Sequence, residues 1–542
     1  MTDRRIFGMV FCIWLALSMA VATGLGAAPA ALAAEDPAAA MYSPGTVESI
    51  DLDLSPAAVD ALEAEPDEYV EGTFSLAPTD GTPGGVKAPL TPTPLIVGVR
   101  LKGNAGSSFR DLTEKAAFKI KFNEFVSGQK FLGLKKMTLN NMVEDPSMIH
   151  ETLTYAAFRA SGVPAPRTGY AYVRVNGDDF GIYLNIETLD DVALKKMFGD
   201  FDDETQHLYE GENGADVKPG GATDFEVDEG DEVDRGDLEA LIAAANSAGP
   251  DWAAAVSPFA DLQEMTRMWA LDKYTGRWDG YAGEKRGVNQ PNNYYLYSDP
   301  LGRFQMLPWG SDETWEEHLP FDGAAGLMFN RCLADAGCAT AYWESLQAVR
   351  GATGGLGLDS LAANTASLLK PWQAIDPRKE VSAGEIAFAV GETRKFIAAR
   401  PAEAGEWLAA HVPPATPATS PLPVPDSSTK PTRPINIGLP EALVRFRGVV
   451  ARKGSIATRL RLLAAATVSQ QGEISARGGA IRVCSDRARS TGPDSVTLRC
   501  RLPRAVRERL HRQSLELTIV TTVSAADGER RVMTRHLKLP RR

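Results

Sequence analysis

Three groups of residues in this sequence have types and spacings that could do chemistry together. In the run Lys102-Gly103-Asn104-Ala105-Gly106-Ser107-Ser108, glycine permits close backbone approach, so Gly103, Gly106, Ser107 and Ser108 can offer N–H groups to an anion. A tight turn between two strands would use the same residues. In the segment 115–122, strand alternation places Phe118, Ile120 and Phe122 on one face and Lys115, Lys119 and Lys121 on the other. Further on, Asp279 follows an apolar helical pattern and Trp278, while Asn292, Asn293 and Asp312 add amide and carboxylate oxygens. A basic ribbon facing a sparse carboxylate-amide trio suits a polyanion held with its divalent cation. Phosphoryl transfer requires that pairing, because its catalysis is mostly positioning and charge stabilisation. Glu151, beside Tyr155 and Phe158, needs a cationic partner if buried, and Lys119 is the candidate. His150, His207 and His318 lack the spacing of a metal cluster, and no adjacent Ser or Cys makes a nucleophile pair, which argues against a hydrolase.

The elements that must position these groups follow from pattern. Alternation predicts strands over 47–54, 69–75 and 95–102, with a short helix capped by Ser55-Pro56 between the first two. A helix is expected from Asp145 to Ser161, with Asp145 as N-cap, Pro146 in the first turn and Gly162 beyond the end. Strands over 169–176 and 180–186 meet at Asn176-Gly177, a hairpin signal. The acidic stretch 198–237 reads as a solvated loop, since its carboxylates do not fit a calcium loop. Helices follow at 237–245 and 262–274, strands at 293–297 and 304–309, and helical patterns at 341–368 and 383–411.

The ends of the chain carry different information. Arg4-Arg5, an apolar run and Ala31-Leu32-Ala33 read as an export signal over residues 1–33, implying a secreted or extracytoplasmic protein with no transmembrane helix after cleavage. Cys12 leaves with that signal. The other four cysteines form two local pairs, Cys332 with Cys338 and Cys484 with Cys500, which an exported chain would use as disulfides. The stretch 412–434, rich in Pro, Ser and Thr, reads as a linker. Beyond it, strand patterns at 445–452, 458–468, 481–484, 495–502 and 515–523 suggest a small β-sandwich-like module over 435–542. From Gly438 onward 22 Lys and Arg stand against 8 Asp and Glu, in a chain whose net charge is −13. The acidic part and the basic part therefore have opposite signs, and an anionic cell-wall polymer is a candidate partner for the basic one, with nucleic acid disfavoured.

Ordered over some 250 residues, several stretches resemble the CotH (spore coat protein H) kinase family. They are Val99-Arg100-Leu101-Lys102-Gly103 with Gly106-Ser107-Ser108, the strand 115–122, Leu139-Asn140-Asn141, Asp145-Pro146-Ser147 and 162–167. They continue with Val175-Asn176-Gly177, Gly181-Ile182-Tyr183, Asp279, 292–297 and Pro308-Trp309 with Asp312. The resemblance, closest to an exported bacterial branch, is strongest over 47–346 and implies a kinase-like domain over 47–411, its last part a helical extension. It implies an α+β fold: an atypical, two-lobed kinase holding ATP with Mg or Mn and phosphorylating a protein substrate, or organising an envelope component. On that basis Lys119 contacts phosphate with Lys115 and the glycine-serine loop, and Glu151 orients it. Asp279 takes the substrate hydroxyl proton, and Asn293 (or Asn292) and Asp312 bind metal. The family's Trp-Asp-x-acid motif reads Trp309-Gly310-Ser311-Asp312 here. Its first acid is missing, so Asp312 or Glu313 must reach the metal; otherwise the domain is a catalytically silent scaffold.

Overall fold

The computed structural model describes residues 36–411 apart from 44, 104–106, 200, 204, 212–213, 248, 250, 285–289 and 324. It also describes most of 444–539, apart from 453–454, 463–465, 477–478, 491–493, 504–505, 507–514 and 526–529. The export signal and linker expected from the sequence, and the Gly106 part of the expected anion-binding loop, lie outside these residues.

The protein is α+β. Its first part is a closed barrel of β1 (Val47–Leu54), β2 (Val70–Ala77), β3 (Leu95–Leu101), β4 (Phe118–Lys121), β5 (Lys136–Asn140), β6 (Thr168–Val175) and β7 (Asp178–Ile186), with α1 (Pro56–Ala64) after β1 and α2 (His150–Ala160) after β5. The strand order is β1-β2-β3-β4-β5-β7-β6, closed by the parallel pairing of β6 with β1, Val47 opposite Tyr170 and Leu52 opposite Val175. Alternation predicts the filling: Ile50, Leu52, Phe74, Val97, Val99, Phe118, Ile120 and Val173 are buried inside. Ser55 caps α1 as expected, its hydroxyl accepting from Ala58 N. The β6–β7 turn places Asn176 at φ +52° and Gly177 at φ +82°, the two left-handed residues that a tight hairpin needs.

Two expectations are corrected here. Helix α2 begins at His150, not Asp145: the Asp145 carboxylate accepts from Ser147 N at 2.8 Å and His150 N at 2.7 Å. It therefore closes a turn ahead of the helix instead of capping it directly. The acidic stretch 198–237 is not a solvated loop. After α3 (Asp191–Phe198) it contains β8 (His207–Gly211) and β9 (Glu226–Glu229) before α4 (Gly236–Ala245), and every residue of β8 is buried. The sheet runs β11-β10-β8-β9 with β10 (Tyr294–Ser298) and β11 (Phe304–Pro308), reached through α5 (Trp252–Val256) and α6 (Leu262–Thr275). β8 survives among acidic neighbours because it pairs with the apolar β10, Leu208 opposite Tyr297 and Tyr209 opposite Leu296.

The helices α7 (Leu327–Ala334), α8 (Ala336–Leu356), α9 (Leu358–Ile375) and α10 (Ala383–His411) complete this part. Residues 372–380, running out of α9, strap it to the barrel. Trp372 Nε1 donates to Gly81 O, and Arg378 donates to the carbonyls of Leu112 and Glu114 while lying 3.5 Å over the Phe180 ring. Among the described residues no helix is long and apolar enough to cross a membrane.

Both expected disulfides are present. The second joins the two sheets of the C-terminal region. One sheet orders β12 (Val444–Arg452), β13 (Ser455–Leu462) and β16 (Asp494–Arg501). The other orders β15 (Gly479–Ser490), β14 (Ala466–Ala476), β17 (Leu515–Ala525) and β18 (Arg530–Leu539). The expected strand 458–468 is two strands, and β18 was not visible in the pattern.

Candidate functional site

Asp279 lies just beyond α6, which stops at Gly276 (φ +68°); a Cβ there would meet the Glu317 carbonyl at 2.3 Å. The next residue, Arg277, is wholly buried and pairs with Asp272 at 2.8 Å. Its guanidinium also donates to the carbonyls of Asn293 and Trp309, so one side chain ties together the three backbone segments that carry Asp279, Asn293 and Gly310. The Asp279 carboxylate accepts from the Asn293 amide at 2.6 Å and from the Asn292 amide at 3.1 Å. Burial holds its pKa above the ordinary range, and Asp312 pushes the same way.

Gly310 has a local reason to be glycine. Its φ is +49°, and a Cβ would lie 2.7 Å from Asn293 Oδ1. Asn293, itself at φ +51°, fills the space that an acidic side chain would need.

From the barrel side comes Glu151 in the first turn of α2. Its carboxylate accepts from Asn140 Nδ2 at 2.6 Å, and from Tyr155 Oη and Ser311 N, each at 3.2 Å. Burial first, then the Asp312 charge, push its pKa to about 7, while Lys102 draws it down. Glu144, absent from the sequence-based set, belongs here too: it accepts from the Ser107 hydroxyl. Burial raises its pKa, Asp312 and Asp279 add to that, and Lys102 opposes them. The Asp312 charge thus acts on Glu144, Glu151 and Asp279 across a cleft, with Lys102 as the cation acting on both glutamates.

The expected lysines divide. Lys119 lies opposite Arg100 in the β3–β4 register; burial and Arg100 lower its pKa, and Glu210 of β8 and Asp228 of β9 oppose that. The cation acting on Glu151 is Lys102, not Lys119. Lys115 is not on the strand face at all, since β4 starts at Phe118. Its ammonium is buried against Asp376 and sits 5.3 Å from the Tyr183 ring centroid, so it has no room to contact phosphate. Gly103 is exposed at φ +78°, and Ser108 has its carbonyl held by Asn141 Nδ2 at 3.0 Å. The adjacent pair Asn140-Asn141 therefore positions Glu151 with one amide and the exit of the glycine-serine loop with the other. His150, read from sequence as unremarkable, joins Asp312 O at 2.9 Å to Thr393 of α10 at 2.8 Å.

As a cation site, the cleft offers oxygen donors only, which suits Mg or Mn. Among the described residues no three acidic, His or Cys side chains converge tightly enough to hold an ion alone. Magnesium is usually bound by one or two carboxylates together with substrate phosphates, and the mutual repulsion of Asp279, Asp312 and Glu144 leaves negative charge for such a cation to neutralise. The donor set therefore fits a cation that arrives with a phosphate ligand.

The family model described as CotH kinase protein matches residues 99–336. The chain is similar to Inner spore coat protein H of Bacillus subtilis (strain 168), 27% identical over 219 residues, covering 39% of this chain and 57% of that protein. It is 38% identical over 90 residues to Inner spore coat protein H-like protein of the same organism, covering 17% and 27%. Spore coat protein homolog 1 of Rhizopus delemar is 26% identical over 232 residues, covering 39% and 37%. The chain thus spans between about a quarter and somewhat over half the length of these relatives. The matched residues 99–336 carry Lys102, Glu144, Glu151, Asp279, Asn293 and Asp312, so it is through this region that the chain is similar to the CotH kinase protein family.

Proposed function

We propose that this protein is an extracytoplasmic, metal-dependent protein kinase of the CotH type, two-lobed in its working form, with the barrel as one lobe and the helical part as the other. The observation that carries the reading is the meeting of the barrel side with the helical side, where Ser311 N donates to Glu151 and His150 joins Asp312 O, while the Asp312 charge raises Glu144, Glu151 and Asp279 and Lys102 draws both glutamates down. Mutually repelling carboxylates with a cation at their rim are arranged for a cation and a phosphate, not for their own stability.

In this reading Asp312 and the side-chain oxygen of Asn293 hold Mg or Mn, with Glu144 supplying the carboxylate that Gly310 lacks. The bound cation would neutralise charge on the phosphates of ATP. Lys102 and the backbone N–H groups after it orient those phosphates, and Lys119 adds positive potential from the neighbouring strand. Glu151 holds Lys102 in place through its charge. Asp279, fixed by two amide donors, accepts the proton of a Ser or Thr hydroxyl. Its raised pKa suits a base that must release that proton again. Arg277 keeps the segments in register without touching substrate. The spore-coat names of the relatives fit a target on a coat or envelope surface, and the domain boundaries 47–411 and 435–542 are part of the same proposal.

The scaffold alternative rests on Gly310. Purified protein lacking residues 1–33, given ATP with Mg or Mn, distinguishes the two. Transfer of phosphate to itself or to a casein acceptor, abolished by Asp279→Ala, supports the kinase. Absence of nucleotide binding by the unaltered protein sinks it and leaves the scaffold.

A further inference from the structure

Helix α10 has two faces with different surroundings. Ile386, Thr393, Ile397, Arg400 and Ala404 recur at helical spacing and are buried against the rest of the domain. The adjoining face, through Glu385, Phe388, Ala389, Glu392, Phe396 and Ala399, borders a cavity of about 890 Å³. Its other wall is Pro146, His150, Trp315, Glu316 and His318. The floor is aromatic: the centre of the Phe396 ring lies 5.9 Å from that of Trp315, edge-on, and 4.4 Å from that of His318. At the mouth Phe388 is 69% exposed, the most open aromatic ring among the described residues. The rim is acidic. Glu316, Glu385, Glu392 and Glu403 stand around the cavity with one lysine, Lys395, which Glu392 holds at 2.6 Å. The cavity also backs onto the cleft, because His150 lies between them, bonded to Asp312 O on one side and to the Thr393 hydroxyl on the other.

We infer that this groove is a docking site for a cationic amphipathic helix of a partner protein. The α10 residues that line it run from Gly384 to Glu403, which at 1.5 Å per residue is roughly 28 Å, the length of a helix of about five turns. Small residues at Gly384, Ala389 and Ala399 let a second helix approach to the usual separation of about 8–10 Å between axes. Its apolar side then meets Phe388, Phe396 and Trp315, and its Lys or Arg residues meet the glutamates. Charge selects among the occupants. An anionic membrane surface or a nucleic acid is repelled by the four carboxylates, and a second copy in a two-fold contact sets the same carboxylates against themselves. The chain's own residues just beyond α10 are no better suited, since 412–429 contain no Lys or Arg. The described strands of 444–539 are already paired in their sheets. The inference concerns binding and does not need phosphate transfer, although a helix seated there lies against the His150 ring that holds the Asp312 segment.

The test uses the full chain without residues 1–33 and three synthetic probes. They are a helical peptide of leucine and lysine about five turns long, its leucine-glutamate counterpart, and an oligolysine of equal charge. Calorimetry measures affinity, and hydrogen exchange locates the contact. One variant carries Phe388→Ser at its exposed position, and a second carries Glu385→Gln with Glu392→Gln. A third, with the same change in net charge as the second, carries Glu63→Gln and Glu68→Gln at exposed positions on and after α1. The leucine-lysine peptide is expected to bind at least about tenfold tighter than either other probe. Phe388→Ser should weaken it about tenfold, the second variant about fivefold and the third less than about twofold, with exchange slowed across 384–399 and 312–318. Equal losses in the second and third variants would reduce the effect to net charge, and equally tight oligolysine would leave the apolar floor without a role. Protection confined to other segments, or equal binding of the leucine-glutamate peptide, would overturn the site. A dimer of the unaltered chain that Phe388→Ser dissociates would assign the face to a second copy, and failure of the unaltered chain to bind the leucine-lysine peptide would end the idea.

Discussion

Two regions of the molecule, the strap at residues 372–380 and the cleft around Asp279, handle buried charge in opposite ways. In the strap each ion has a dedicated partner. Lys115 is held by Asp376, whose carboxylate also accepts from Ile182 N at 3.0 Å and Arg378 N at 2.8 Å; Arg110 and Glu380 form a two-point pair. In the cleft the Asp312 charge raises both Glu144 and Asp279, and burial with that charge pushes Glu151 to about 7. Satisfied charge fixes a structure, whereas frustrated charge is retained because a ligand completes it. Lys115 belongs to the strap, while Lys119, four residues on, is buried beside Arg100 with Glu210 and Asp228 opposing.

The contrast can be broken most severely at Asp279. Asp279→Ala should lower phosphate transfer by about 10³-fold or more while shifting the melting temperature little, since the residue's partners are amides; activity assays beside calorimetry decide this. In the strap the reverse should hold. Asp376→Ala leaves Lys115 buried without its partner and should cost about 3–5 kcal/mol of stability by denaturant titration. Gly310→Asp tests whether the altered metal motif is a lesion. Because Asn293 occupies the space, the substitution should weaken Mg or Mn dependence by about two- to fivefold instead of improving it, at a cost near 1 kcal/mol for the left-handed backbone, and titrating the metal in the activity assay reads it out.

A smaller effect sharpens the rule that unpaired buried acids belong to ligand sites. Glu264 is an exception: it lies away from the cleft, one oxygen accepts from Met306 N at 2.9 Å, the other has no partner among the described residues, and burial pushes its pKa up to about 8 from 4.5. The folded protein therefore keeps a proton that the unfolded chain has already released, so stability is lost as pH rises from about 4.5 through about 8. Glu264→Gln keeps the acceptor, carries no titrating proton and should flatten that slope, gaining on the order of 1–3 kcal/mol at pH 8.5 by urea titration.

Much of the scaffold was readable locally. Strand alternation gave β1 to β3, the Asn176-Gly177 turn gave the β6–β7 hairpin, and the apolar stripe before Trp278 gave α6. What escaped depended on distant partners. Lys115 continues a perfect alternation, yet its partner is 261 residues away, and nothing within the segment announces that the strand begins only at Phe118. The acidic stretch 198–237 hid β8 because its burial is provided by Tyr294 to Ser298, far along the chain. Of the cleft, Asp279, Asn293, Asp312 and Glu151 were recognised through the family resemblance. Glu144, Arg277 and the role of Lys102 were not, because a carboxylate before Asp145-Pro146 and an arginine after a helix look like surface residues until the backbone folds them inward.

After Gly438 the sequence holds no Trp or Tyr and one Phe, Phe446, which bears on how the protein can be watched. All 9 tryptophans precede residue 408, and Trp315 and Trp372 are fully buried, one donating to Thr154 beneath the cleft and the other to the barrel across the strap. Intrinsic fluorescence is therefore a private channel to the acidic part of the chain. The module's own melting is silent in that signal and appears only in heat capacity or circular dichroism, so one intact sample can reveal whether the two parts come apart together or in turn.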